Sequence, residues 1–160
     1  MVDGDLQYFS RDEFNRAGVN WFESMSERLL FAVDLLRYRW SGYTGEDARI
    51  IISPHPKALG RWDGPDVVSD HNIDKWGKVY GMDVFPEYVT HGEDIDAFRM
   101  LAVDSGITAI GVYPNWRPSI GFHLGVRPGR AYGDPATWGA AMVDGKQAYT
   151  TWGAAVEGVA

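Results

Sequence analysis

Between Trp21 and Trp40 the apolar residues Phe22, Met25, Leu29, Ala32, Val33 and Leu36 recur at intervals of three and four, which places them on one face of a helix. Such a face has to be buried against a second layer. Short strands further along the chain can supply one. Ser41-Gly-Tyr-Thr-Gly45 breaks the helical pattern, and Arg49-Ile-Ile-Ile-Ser53 follows as a β-branched run bounded by turn residues. Segments 81–85, 108–113 and 121–127 are also strand-like, the last two around a loop, 114–120, whose length suits an irregular hairpin. Ser10 and Glu13 have the spacing of a capping box. Thr90 and Glu93 repeat it ahead of Ile95, Phe98, Leu101 and Ala102, which share a helical face that ends at Gly106. Residues 54–70, with three prolines and two glycines, form an ordered loop. Helix and strand without regular alternation predict an α+β fold, a small antiparallel sheet with flanking helices.

The chain of 160 residues is about one domain long. With 45% hydrophobic and 23% charged residues it can bury a core, and intrinsic disorder is excluded. Lys and Arg number 15 against 22 Asp and Glu, and the net charge of −7 argues against nucleic acid as a partner. The absence of cysteine rules out disulfides, thiolate catalysis and zinc sites built on sulfur. A metal would have to be held by Asp, Glu and the four histidines, His55, His71, His91 and His123. No signal peptide is expected, and no apolar run reaches the ~20 residues of a membrane span, so no membrane partner is expected either. A main domain is predicted over 1–128. Residues 129–160, with six glycines plus Trp138 and Trp152, show no clear period and are predicted to extend over the domain or over a partner.

Three titratable residues stand apart. His71 lies in Ser69-Asp-His-Asn72, Asp83 in Gly81-Met-Asp-Val-Phe85, and His123 in Gly121-Phe-His-Leu124. A carboxylate or imidazole inside an apolar strand needs a partner, because an unpaired buried charge costs several kcal/mol. The three can pair with one another or with a metal. Two imidazoles and a carboxylate with an open fourth position make a catalytic zinc arrangement, in which a bound water becomes acidic enough to attack a carbonyl. The helical HExxH signature is absent.

Ser69-x-His71, Gly81-x-Asp83-Val84 and Phe122-His123-Leu124-x-Val126-Arg127 resemble the zinc-ligand blocks of the D-alanyl-D-alanine carboxypeptidase and hedgehog-type metallopeptidases, in particular the small phage-borne members. Tyr8-Phe-Ser-x-x-Glu-Phe14, the 21–40 helix, Ile50–Ser53 and Arg61 fall in the matching order, so the resemblance covers about residues 8–128. It implies a fold of that type with zinc held by His71, Asp83 and His123. It also implies a supporting role for Ser69 beside the ligands and an Arg61 that grips a substrate carboxylate through paired hydrogen bonds. The implied substrate is the peptidoglycan stem peptide, and the implied setting is a virion or the host cytoplasm.

The sequence departs from that pattern in two places. No Asp or Glu occurs between Asp104 and His123, where the family places its general base; Asn115 stands there instead, and an amide cannot take a proton. Gly125 occupies the aspartate position of a His-x-Asp pair. Glu93 or Asp74 could substitute as base, although nothing in the sequence positions either. The alternative expectation is therefore a virion structural protein that keeps the fold and binds other virion proteins. His91 is predicted to be a solvated turn residue, and His55 either a turn residue or part of a cleft. Tyr113, Trp116 and Phe122 are predicted to form a stacking wall or to pack across strands.

Overall fold

In a computed structural model that describes residues 6–159, the apolar stripe becomes helix α1, Glu27–Thr44. Ser26 caps it, its side chain accepting from the Leu29 amide. Residues 22–24 form a separate 3-10 turn ahead of the helix. At its other end α1 runs through Gly42, where the sequence pattern predicts a break, and stops at Gly45, whose φ of 74° suits a residue without Cβ. Leu29, Leu30, Val33, Leu36 and Trp40 are buried.

Strands β1 (Asn15–Arg16) and β2 (Val19–Asn20) form a small antiparallel ribbon after a 3-10 turn at Arg11–Phe14. The main sheet has six strands. These are β3 (Ile50–Ile52), β4 (Gly81–Pro86), β5 (Ala109–Tyr113), β6 (Gly121–Gly125), β7 (Ala136–Val143) and β8 (Lys146–Thr150), in the order β3-β4-β6-β5-β7-β8. The fold is α+β, but the sheet is larger than predicted and mixed, because β7 returns beside Ala109 and runs parallel to β5. All other neighbours are antiparallel. Three further helices complete the fold: α2 (Ile73–Trp76), α3 (Gly92–Asp104) and α4 (Trp152–Glu157).

The sheet has two different faces, as strand alternation requires. Met82, Val84, Ile110, Val112, Phe122 and Leu124 are fully buried in the core shared with α1, α3 and α4. Phe98 of α3 sits 4.6 Å from Phe122 and 5.2 Å from Trp40, ring centre to ring centre, which joins the helices to the sheet. The alternate residues Gly81, Asp83, Gly111, Gly121, His123 and Gly125 belong to the opposite face. The four glycines among them leave a depression: a Cβ on Gly121 would lie 2.2 Å from the Trp116 ring, and one on Gly111 2.4 Å from the Trp138 ring.

Residues 136–157 are thus built into the domain's own sheet and core. The β7–β8 hairpin turns at Asp144 and Gly145, with φ of 51° and 76°. Trp152 of α4 is buried and donates to Asp96 of α3 at 2.9 Å. Among the described residues no helix is long and apolar enough to cross a membrane.

Candidate metal centre

Asp83 and His123 face each other directly across β4 and β6. His71 arrives from the loop before α2. A short parallel bridge fixes its backbone there, Arg61 N donating to His71 O at 2.9 Å and Ile73 N to Arg61 O at 3.0 Å. The neighbouring Asn72 is fully buried and organises the loop. Its amide donates to Gly64 O and Val67 O at 2.6 and 2.8 Å, and its oxygen accepts from the Asp63 and Asp74 amides.

Three ligand atoms converge. His71 Nε2 and His123 Nδ1 are 3.1 Å apart, and each lies 3.3 Å from Asp83 Oδ1. Ligands ~2.0–2.2 Å from a tetrahedral ion are separated by about 3.3–3.6 Å, close to these sides, and a point near 2 Å from all three atoms exists. The outer ring nitrogens are already committed. His71 Nδ1 donates to Leu59 O at 2.6 Å, and His123 Nε2 donates to Asp70 Oδ2 at 3.0 Å. Carbonyl and carboxylate oxygens only accept, so these bonds fix both tautomers and turn two lone pairs and a carboxylate oxygen toward one point. A cation or an extra proton is what such a point requires. The donor set fits a metal ion: buried, hard-to-borderline, and oriented from behind.

The electrostatics agree. Burial disfavours a charged His123, yet the hydrogen bonds and charges of Asp70 and Asp83 outweigh it and push the imidazole up to about 9. Burial likewise works against ionised Asp83 and Asp70. His123 and His71 nevertheless hold Asp83 well below the usual carboxylate range, and His123 and Arg127 hold Asp70 down. The pocket therefore stabilises positive charge flanked by two carboxylates.

Asp70 also resolves the anomaly at Gly125. A Cβ placed on Gly125 would lie 2.7 Å from Asp70 Oδ2 and 3.1 Å from His123 Nε2. The carboxylate that a His-x-Asp pair would supply from β6 is here supplied from the loop, one residue before a ligand. Arg127 holds it in place, Nε donating to Asp70 Oδ1 at 3.0 Å. Sequence reasoning passed over Asp70; its position beside His71 was the available signal.

The ligands lie on the wall of an open cleft of about 500 Å³. Ser69 lines it and accepts from the His71 amide at 3.3 Å. Arg61 lines it too, its Nη2 4.0 Å from Asp83 Oδ2. Tyr113 and Trp116 stack at 4.0 Å and 14° to form one side, whereas Phe122 points into the core, so the predicted aromatic trio divides between the two sheet faces. Trp138, Gln147 and Tyr149 of β7 and β8 complete the cleft, and Trp138 Nε1 donates to the Tyr113 hydroxyl at 2.9 Å. Burial raises the Tyr113 pKa, so its phenol keeps its proton.

The carboxylates lining the cleft are Asp70 and Asp83, both engaged with the histidines; Glu93, Asp74 and Asn115 do not line it. Glu93 is in the first turn of α3, and Asp74 accepts from the Gly64 amide. His91 is the N-cap residue of α3. His55 lines an adjoining pocket, and its Nδ1 accepts from the Lys57 amide at 3.1 Å. Comparisons with family models, with curated proteins and with solved structures gave no match.

Proposed function

We propose that this protein is a zinc-binding domain of the D-alanyl-D-alanine carboxypeptidase and hedgehog type, phage-encoded, that hydrolyses peptide bonds in peptidoglycan stem peptides. The observation that carries this reading is the triangle of His71 Nε2, Asp83 Oδ1 and His123 Nδ1, with sides of 3.1 to 3.3 Å, opening onto a cleft. Two imidazoles and one carboxylate without sulfur suit zinc in its catalytic form. Zinc held there would supply Lewis acidity and a coordinated water with a pKa near 7. The chain's own residues do the rest. Arg61, which lines the cleft, would bind a substrate carboxylate, Trp116 and Tyr113 would offer a flat wall for the peptide, and the Tyr113 hydroxyl would donate to a carbonyl oxygen.

A second reading, a virion assembly protein that retains the metal without hydrolysis, is favoured by one specific observation. Both carboxylates lining the cleft are bound to histidines, which leaves neither free as general base. Metal analysis of the purified protein, with muropeptide digestion by wild type and His123→Ala, separates the two. Stoichiometric zinc with cleavage that the substitution abolishes supports the peptidase. Zinc without cleavage supports the assembly role, and protein that binds no metal near neutral pH refutes both.

A further inference from the structure

On the outward side of α1 the residues Phe31, Leu35, Tyr38 and Gly42 follow one another at spacings of four, three and four, and all four are exposed, Tyr38 to 62%. That alternation is the seam of a coiled coil. It lies across the helix from Leu29, Val33, Leu36 and Trp40, which enter the core.

Gly42 has no reason within its own chain. A glycine inside a helix is destabilising relative to alanine, and the fold would admit the alanine, since a Cβ added at residue 42 meets nothing within 4 Å. A second helix packed closely against the seam supplies the reason, because it brings a backbone to the place where that Cβ would stand.

The charges select the occupant and its direction. On a heptad frame Leu35 and Gly42 fall at a, Phe31 and Tyr38 at d, Asp34 at g and Arg39 at e. A parallel partner sets each g residue against the e residue five places on in the other helix. Two copies of α1 packed in this way bring Asp34 beside Arg39 of the second copy, and two-fold symmetry repeats the pair. Arg28, at the preceding a position, then lies beside the flank of the second copy that carries Glu27 and Asp34. An antiparallel partner sets g against g, acid against acid. Among the described residues Arg28, Asp34 and Arg39 form no ion pair. Asp34 accepts from the Gln7 and Tyr8 amides, and Arg39 donates to the Ser105 hydroxyl at 3.3 Å, so both charges have only neutral partners.

We propose that the outward face of α1 is the contact between two copies of this chain, packed in parallel about a two-fold axis, with Phe31, Leu35 and Tyr38 buried between them and Asp34 paired with Arg39 across the seam. The core lies between α1 and the sheet, and the metal cleft is on the far face of that sheet. The dimer therefore carries two clefts that face away from each other, open to two sites on a polymer or surface that repeats its target. This arrangement is independent of whether the cleft hydrolyses. A contact made by one 18-residue helix from each copy falls at the low end of protein interfaces, below ~1,200 Å² in total, so association is weak and concentration-dependent.

The test uses the full chain. Sedimentation velocity from micromolar to near-millimolar concentration is expected to show a reversible equilibrium between monomer and dimer. Leu35→Asp, which puts a charge in the middle of the seam, is expected to weaken association at least ~tenfold. Arg39→Glu is expected to weaken it as well, and Arg39→Lys to retain it. Circular dichroism and metal content check that each variant is folded. Direction is read by disulfide cross-linking, which is clean because the chain has no cysteine. Gly42→Cys brings two thiols together in the parallel pair and keeps them far apart in an antiparallel one. It is expected to cross-link under mild oxidation at least ~tenfold faster than Met100→Cys, an exposed position on α3. Monomer at every concentration, a dimer indifferent to both Leu35→Asp and Arg39→Glu, or cross-linking at Gly42→Cys no faster than at Met100→Cys would overturn the proposal. Should Leu35→Asp fail to fold, the Arg39 pair and the cross-link decide it.

Discussion

Replacing Asp70 by alanine should weaken metal binding without dismantling the fold. Its carboxylate is 1% exposed and accepts from His123 Nε2 at 3.0 Å, while its own backbone oxygen continues to accept from the Tyr80 amide. Two estimates agree on the size. Loss of a partner behind a metal-bound histidine typically costs ~10–100-fold in affinity, or about 1.4–2.7 kcal/mol. A buried N–H left without an acceptor costs ~1–3 kcal/mol. Arg127, released at the same time, is 39% exposed and can turn to solvent. The geometry at Gly125 permits a sharper experiment. An aspartate carboxylate oxygen sits about 2.4 Å from its own Cβ, and Asp70 Oδ2 lies 2.7 Å from the Cβ position of residue 125. Gly125→Asp alone should therefore clash with Asp70 and destabilise the protein, whereas Asp70→Ala/Gly125→Asp should regain much of the lost affinity. The assay is zinc titration against a competing chelator on all four members of the cycle, with urea melts for stability. Unchanged affinity in Asp70→Ala, or strictly additive effects around the cycle, would refute the idea that one carboxylate replaces the other in space.

Other perturbations test the scaffold. Gly139→Ala would bring a Cβ within 2.3 Å of the Ala155 Cβ and 2.9 Å of the Thr151 backbone oxygen, lifting α4 off the sheet. Overpacking of this kind costs ~1–3 kcal/mol and should appear as a lowered urea midpoint. Asn72→Ala leaves two carbonyls and two amides of the 63–74 loop without their partner and should cost ~2–3 kcal/mol, with weaker zinc binding through His71. Asp94 caps α3, accepting from the Thr90 and His91 amides at 3.0 and 2.9 Å. Slight burial raises its pKa, these bonds outweigh that, and the net shift is downward from 3.8. Its contribution is therefore present above pH 3.8 and lost as pH falls through its lower folded value. Asp94→Ala should remove ~0.5–2 kcal/mol near neutral pH and progressively less below pH 3.8, as followed by thermal melts.

The cluster of His71, Asp83 and His123 was legible because each broke the character of its segment, yet the physical reason differs from the one the sequence suggests. Asp83 and His123 do not intrude on an apolar interior. They alternate with core residues, Met82 and Val84 on β4, Phe122 and Leu124 on β6, and share their own face with glycines 81, 121 and 125. The capping box of α3 was displaced by one residue, since it is Asp94 that reaches back to the His91 amide. The β7–β8 hairpin was the larger omission. Its turn, Asp144-Gly145, is a strong local signal, but the strand preceding it is rich in alanine and glycine. That composition serves close approach, as at Gly139 beneath α4, and carries little intrinsic strand preference. Asp70 had only its place beside His71 to mark it, because its role comes from where a loop folds back onto a strand.

The parallel seam between β5 and β7 links protection against aggregation to the shaping of the cleft. Until β7 docks, β5 is an open edge backed by Ile110 and Val112, the sort of strand that recruits other chains. The element that seals this edge also delivers Trp138, Gln147 and Tyr149 to the cleft. During synthesis His71, Asp83 and His123 emerge before the far wall of the cleft. The same late strand that covers the β5 edge is therefore the one that finishes the cleft.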